Sequence, residues 1–365
     1  ALGRLTVSVF DASNRLTRVT EAAATPDERT TAFAYDGRHR LVAITNAMGR
    51  VTRMGYDGHD RLVCVTAPDG VTVTNVYNAR GLWELTRTLD AAGNVVRETS
   101  AVYNGRGLPE EVTSTDAGTT LYRYDAAGNA TNITDALGRS LALSYNARRQ
   151  LTGTADALGH TTARLYTPEG RLYAAVDALG RTNRFLWTPG GKPAAVIYPD
   201  GGVSTNEYDI ADRMWAVRDP RGNRISFGLD PAGRVTNRMA AAWSDAAWYD
   251  AEGCVIARVD AVSGLTENGY DNLDRPVAVT DPMGGAWTNT YDAAGALTGG
   301  RDPRGRTTAY ARDLVGRLAA TTYPSGRIEG NGYDALGRLT SFTNAEGRVT
   351  RMSYDAQGRM TAATN

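Results

Sequence analysis

The feature that most constrains this chain is a period of 21 residues running along its whole length. Seventeen landmarks align on an aromatic-acidic pair: Phe10, Tyr35, Tyr56, Tyr77, Tyr103, Tyr124, Tyr145, Tyr166, Trp187, Tyr208, Leu229, Tyr249, Tyr270, Tyr291, Arg312, Tyr333 and Tyr354. Thirteen of the sixteen intervals are 21 residues; the others are 25 after Phe10, 26 after Tyr77 and 20 after Leu229. Nine landmarks are a literal Tyr-Asp, and Leu229 and Arg312 keep only the Asp. A fixed period of this length means that each unit is one small structural element, stabilised mainly by its neighbours.

Each unit carries two turn signals. A typical one reads Tyr333-Asp334-Ala335-Leu336-Gly337-Arg338-Leu339-Thr340, then Asn344-Ala345-Glu346-Gly347-Arg348-Val349-Thr350, then the next Tyr354-Asp355. An Asp or Asn side chain can bond the backbone two residues on, and a Gly three residues later accepts the positive φ that closes the turn. Turns every 10 or 11 residues leave strands of about six, so one unit is one β-hairpin. The returning strand alternates: Leu141, Leu143 and Tyr145 share a face, as do Phe185 and Trp187. In the outgoing strand Leu41 and Ile44, or Leu62 and Val65, stand three apart, which implies either a bulge or burial on both faces.

No stretch of a dozen residues has helical apolar spacing, and 40 Gly and 18 Tyr in 365 residues favour short strands joined by turns, so the expected class is all-β. Residues 1–365 read as one repeat array with no separate catalytic domain. About 32 strands at ~4.8 Å each would make a sheet edge of ~150 Å, too long to stay flat once strand twist accumulates. Two architectures satisfy this: a β-propeller taking two units per blade, or a continuous spiral of equivalent hairpins. A propeller should repeat more strongly at 42 than at 21, yet Ala-Leu-Gly recurs at 136, 157 and 178 and Tyr-Asp at 249, 270 and 291. The spiral is the expectation.

The unit Tyr-Asp-Ala-x-Gly-Arg-Leu-Thr, with a second Asp-x-x-Gly half a repeat later, resembles the YD repeat of bacterial Rhs polymorphic toxins, of the toxin-complex shell proteins and of the teneurin shell. The resemblance covers essentially all of the chain. It implies a hollow β-shell of spiralling hairpins, which in the bacterial members encloses a C-terminal toxin cut free inside it and in teneurin-like members serves adhesion. The chain starts in mid-unit at Ala1-Leu2-Gly3-Arg4 and stops just after a strand at Asn365, and is therefore expected to be an internal fragment of a longer one. Self-cleaving members carry Asp-Pro-x-Gly-Leu at the end of the repeats. Asp219-Pro220-Arg221-Gly222, Asp230-Pro231-Ala232-Gly233, Asp281-Pro282-Met283-Gly284 and Asp302-Pro303-Arg304-Gly305 lack the Leu and sit at the ordinary turn phase, so they read as turns with Pro presetting φ.

Little in the array reads as chemistry. His39 and His59 fall near the same turn of neighbouring units but want a third ligand, and with His160 they read as exposed turn residues, so no metal is expected. Cys64 and Cys254 occupy different phases and read as half-buried thiols. About one Asp per turn, followed by Arg, suits structural pairing better than calcium or a catalytic carboxylate pair. No Gly-x-Ser-x-Gly elbow, Walker loop or Cys-His dyad is present. The chain is accordingly read as a non-enzyme, with no catalytic, cofactor-binding or metal-ligating residue and no cofactor.

Formal charge is zero, and the arginines are spread almost one per repeat, with Lys192 the only lysine among 40 basic residues; nucleic acid is not an expected partner. No apolar run approaches the ~18 residues of a membrane-spanning helix. The leading functional expectation is a secreted or cell-surface shell segment whose partners are further repeats and a C-terminal cargo of the same polypeptide. The alternative is an adhesive or glycan-binding surface, using Trp83, Trp215, Trp243, Trp248 and Trp287, which lie off the landmark phase, or the insertions at 21–29 and 83–98. A purely mechanical wall fibre is a third reading. An array of this kind ends in unpaired strand edges, so sedimentation of the isolated chain should find aggregates or a species capped by another copy; a monodisperse monomer with a sharp cooperative melt would contradict this.

Overall fold

The structure is a computed structural model describing residues 5–365 apart from 261, 356 and 357; the first four residues, where the array is expected to begin in mid-unit, lie outside the described ones. Among the described residues there are 34 strands, from Val7–Phe10 to Met360–Thr364, and no helix. They form one antiparallel sheet. Pairing passes from hairpin to hairpin: Ala32 pairs Thr45, Thr45 pairs Val51, Arg53 pairs Thr66 and Thr66 pairs Thr72. A propeller would interrupt the ladder after every four strands, and it does not apply here.

The outgoing strand is bulged. Ala34 pairs Ala43, but Tyr35 pairs Leu41, so Val42 is the extra residue; the same slip occurs between Gly55 and Tyr56, Ser144 and Tyr145, and Ser353 and Tyr354. The slip places Leu41 and Ile44 on the face that carries Tyr35 and Phe33, which accounts for their three-residue spacing. A tyrosine of the following hairpin then bonds the carbonyl beside the bulge. Tyr56 Oη donates to the Leu41 carbonyl at 2.8 Å, and Tyr124, Tyr166, Tyr291 and Tyr354 do likewise to Pro109, Leu151, Pro276 and Leu339. At two landmarks that are not tyrosine the bond survives: Trp187 Nε1 donates to Leu172 and Arg312 Nε to Leu297.

The sheet is one layer. Its buried apolar residues among those described are Ala22, Ala101, Ala174, Ala195 and Ala216, and no large side chain is fully buried. The chain exposes 21573 Å², whereas a compact monomer of its mass would expose ~14,000 Å². Ala174, Ala195 and Ala216 fall at the same place in successive outgoing strands and are crossed by larger neighbours such as Leu165 and Leu186.

Two compact units are distinguished. One comprises Ala1–Val102, Val112–Gly118 and Asn268–Asn365; the other comprises Tyr103–Glu111 and Thr119–Glu267. Every hairpin has two ends, so each unit has two rims: a first rim of turns that follow the landmark, and a second rim of turns half a repeat later. Within the first unit the second rim of early hairpins sits on the first rim of late ones. Arg50 Nη1 donates to the carbonyls of Asp313 and Leu314 at 2.9 and 3.1 Å, Asp27 accepts from the Asn272 backbone and side chain and lies 3.5 Å from Arg275, and Asp69 is 3.7 Å from Arg317. The insertion at 21–29 is thus used to clasp another part of the sheet.

Since the Leu41 carbonyl accepts the Tyr56 hydroxyl, Tyr56→Phe should cost ~1 kcal/mol in urea unfolding and Tyr56→Ala ~3 kcal/mol or more. Both losses should be accompanied by faster amide exchange at residues 41–66 while distant hairpins stay unchanged.

Candidate functional site

The repeated chemistry of the chain lies in its first-rim turns. In the turn after Tyr35, Asp36 Oδ1 accepts the Arg38 and Arg40 backbone N–H groups at 2.8 and 3.0 Å, and Asp36 Oδ2 accepts Arg40 Nε at 2.8 Å. Arg40 then leaves its own hairpin. Its Nη1 donates to the Asp57 carbonyl at 3.0 Å and to Asp60 Oδ1 at 2.8 Å, and its guanidinium stands 4.9 Å from the Tyr56 ring centre. The same bridge runs from Arg213 to Asp230, Arg234 to Asp250, Arg275 to Asp292 and Arg317 to Asp334, with Arg61, Arg234, Arg275 and Arg317 over the next tyrosine. The Arg40 guanidinium holds the Asp36 carboxyl below the usual carboxylate range. Partial desolvation pushes the Asp57 carboxyl up, but the backbone N–H and guanidinium of Arg61 outweigh it and hold the group at about 2. Asp245 is a buried carboxylate, bonded to Arg238 and Arg258 on the neighbouring strands and brought to about 2, chiefly by Arg238 and against its burial. Its position is that of a cross-strand charge pair.

The residues singled out in the sequence are scattered over this framework. His39 occupies the glycine position of its turn, at φ 65°, and His59 donates its backbone N–H to Asp57; both are exposed. His160 takes the arginine position beside Asp156, Nδ1 to Oδ2 2.9 Å. Neither Cys64 nor Cys254 is in a disulfide. The four Asp-Pro-x-Gly segments are all closed turns, the Gly N–H donating to the Asp carbonyl at 2.8 to 3.0 Å. Trp215 lies under Arg224 at 4.5 Å and Trp243 near Arg238 at 5.7 Å, while Trp83 Nε1 donates to Thr86.

Two groupings were not foreseen. Asp250, Cys254 and Asp274 hold their donor atoms within 4.8 Å of one another; they stand where Asp36, Arg40 and Asp60 stand in an earlier repeat, with a thiol replacing the arginine between two carboxylates. The other is a groove of about 460 Å³ lined by Trp287, Asn289, Arg301, Asp302, Arg306 and Tyr310, among others. Gly300 pairs with both Asn289 and Thr308, so its missing side chain opens the sheet surface between Trp287 and Tyr310. The signal in the sequence was the Gly299-Gly300 pair in a strand.

The RHS Repeat family model matches residues 10–47, 35–72, 103–140, 124–162, 291–328 and 333–365. No curated protein matches. Among solved structures, a TcdB2-TccC3-Cdc42 crystal structure is 15% identical, with a TM-score of 0.74, over 97% of this chain and 23% of that one. TcdB2-TccC3 without its hypervariable C-terminal region gives 16%, 0.58, 97% and 23%, and a Photorhabdus luminescens Tc holotoxin pore gives 15%, 0.53, 96% and 23%. At these identities the likeness is one of fold, and the chain spans about a quarter of the length of the chains it matches.

The turn carboxylates and the cross-strand Asp245 set the response to acid. Asp36, Asp57 and Asp245 titrate lower in the folded chain than the ~3.9 of an unfolded Asp, so their contribution is complete above about pH 4 and is lost as pH falls toward 2. The melting temperature should hold from neutrality to about pH 5 and fall steeply below about pH 4; a melt unchanged at pH 2.5 would contradict the assignment.

Proposed function

Because the chain belongs to the RHS Repeat family, we propose that it is a stretch of shell wall that encloses or presents a C-terminal cargo of the same polypeptide and performs no catalysis itself. The observation that carries this reading is a long sheet in which, among the described residues, the buried apolar side chains are alanines and no large side chain is fully buried. A single layer makes a partition instead of a core-filled domain, and a partition has a use when something lies behind it. Val102, Leu165, Leu186 and Trp248, each one residue before a landmark, stand exposed on the face opposite the tyrosines, an apolar surface suited to an incompletely folded chain. The relatives support the same reading, since one of the matched structures is of a protein whose C-terminal region is hypervariable. Partners are then the remaining repeats and that cargo, and the site of action is the secreted or cell-surface compartment. No helix here is long and apolar enough to cross a membrane.

Limited proteolysis of the full-length polypeptide tests it. The segment following the repeats should survive at neutral pH and be cut once acid below about pH 4 opens the turns; a segment digested at neutral pH, with the repeats intact, would overturn enclosure. A second reading, a saccharide-binding surface, is favoured by the Trp287 groove, where an aromatic pair flanks a glycine floor beside Asp302 and Arg306. Quenching or enhancement of tryptophan fluorescence by oligosaccharides, abolished by Trp287→Ala, is what that reading requires; no response to any sugar would sink it.

A further inference from the structure

At the one short interval of the array, 20 residues from Leu229 to Tyr249, charge stands where other hairpins carry apolar side chains. The outgoing-strand residue opposite the second position before the landmark shares the tyrosine face: Phe33 pairs Ile44, Met54 pairs Val65 and Asn331 pairs Phe342. In two successive hairpins this residue is an arginine, Phe227 pairing Arg238 and Ala247 pairing Arg258. Between their strands, Val235–Met239 and Val255–Asp260, runs Ser244–Tyr249, and its Asp245 takes both guanidinium groups on one oxygen. Arg238 engages Asp245 Oδ2 through Nε at 2.9 Å and through Nη2, and Arg258 through Nη2 at 2.8 Å. Asp245 is 8% exposed, whereas the Arg238 and Arg258 side chains are 41% and 52% exposed. The carboxylate across from Asp245, that of Asp260, is spent on its own turn, accepting the Val262 and Ser263 N–H groups at 2.9 and 2.5 Å and the Ser263 hydroxyl.

We propose that Arg238 and Arg258 form a receptor for a tetrahedral oxyanion, a phosphate or sulfate, with Asp245 holding the two guanidiniums together. One carboxylate oxygen serves two guanidiniums, so two like charges are held close together, and an added anion relieves their repulsion. Arg238 Nη1 and Arg258 Nη1 and Nε have no acceptor among the described residues, and both side chains are exposed enough to be reached. The geometry also selects the anion. A carboxylate offers two oxygens in one plane and suits the fork of a single arginine, as Asp245 already does with Arg238. Donors that converge from two strands lying two spacings apart, ~9.6 Å, suit an anion whose oxygens point in several directions. Trp243, 41% exposed, places its ring centre 5.7 Å from the Arg238 guanidinium and gives the site a flat apolar wall, against which the alcohol part of a phosphate or sulfate ester can rest. The site does not depend on what the wall encloses.

Amide hydrogen exchange of the full-length polypeptide, titrated with sodium phosphate against sodium chloride at matched ionic strength, tests the site. Phosphate should slow exchange across residues 235–260 in a saturable way while distant hairpins stay unchanged, and chloride should not. Arg258→Gln should need about tenfold more phosphate for the same protection, the loss of a charge-assisted hydrogen bond. Arg184→Gln, which removes an exposed arginine of the same compact unit, should respond like wild type. If Arg258→Gln alters the circular dichroism, Arg258→Lys replaces it, since it keeps the charge beside Asp245 but loses the fork, and it too should need more phosphate. Phenyl phosphate distinguishes the source of the anion: half-protection at a lower concentration than inorganic phosphate, lost in Trp243→Ala, assigns the site to an ester, and equal concentrations assign it to the free ion. No saturable protection, equal protection by chloride or by acetate, or an unchanged response in the Arg258 variants would each overturn the proposal.

Discussion

The structure depends on one bridge: a turn carboxylate that binds its own backbone and holds an arginine, which in turn reaches the next hairpin. Taken singly, a surface ion pair contributes little, about 0 to 1 kcal/mol. Here the guanidinium does three things at once. It satisfies the carboxylate, bonds a carbonyl of the following turn and covers the following tyrosine ring. A sheet without a core has few other ways to couple one hairpin to the next, and this bridge lies at the hairpin ends, where strand pairing alone would fray.

The bulge is the second constraint. It re-aims the outgoing strand so that its apolar residues rejoin the tyrosine face, and it presents a carbonyl that the next landmark side chain bonds. Tyrosine is frequent because it combines a wide ring for the arginine with a hydroxyl at the right reach. Trp187 and Arg312 keep the donor, which explains why these landmarks depart from the Tyr-Asp rule while the period holds. Leu229 has no donor to offer, and its hairpin retains the bulge without that bond.

Much of this was legible in the sequence because a repeat writes its local rules many times over. The hairpin length, the Asp or Asn and Gly turns, the Asp-Arg pairing, the strand faces and the preference for a continuous ladder over blades all follow from spacing. The choice between a bulge and two-sided burial did not, since Leu41 and Ile44 fit both until the pairing of Tyr35 with Leu41 is known. Contacts between residues some 245 to 264 apart leave no periodic trace, so the clasp of the 21–29 insertion on the turn after Tyr270 was out of reach, although the insertion itself stood out as a departure from the period. Cys254 read as an isolated thiol because its meaning lies in the arginine it replaces, and that is apparent only when Asp250 and Asp274 are seen to flank it.

Amide hydrogen exchange at two classes of turn tests the bridge most directly. Asp36–Arg40 and Asp57–Arg61 have the carboxylate and the arginine, whereas Asn78–Leu82 keeps the side-chain oxygen bonded to the same two N–H groups with a leucine at the fifth position. If the arginine couples the hairpins, the fifth-residue amides of Arg40 and Arg61 should exchange markedly more slowly than that of Leu82, and Arg40→Leu should bring the Arg61 turn into the faster class. Equal protection in the two classes, unchanged by that substitution, would mean that the ladder alone holds the hairpins together and would contradict the account.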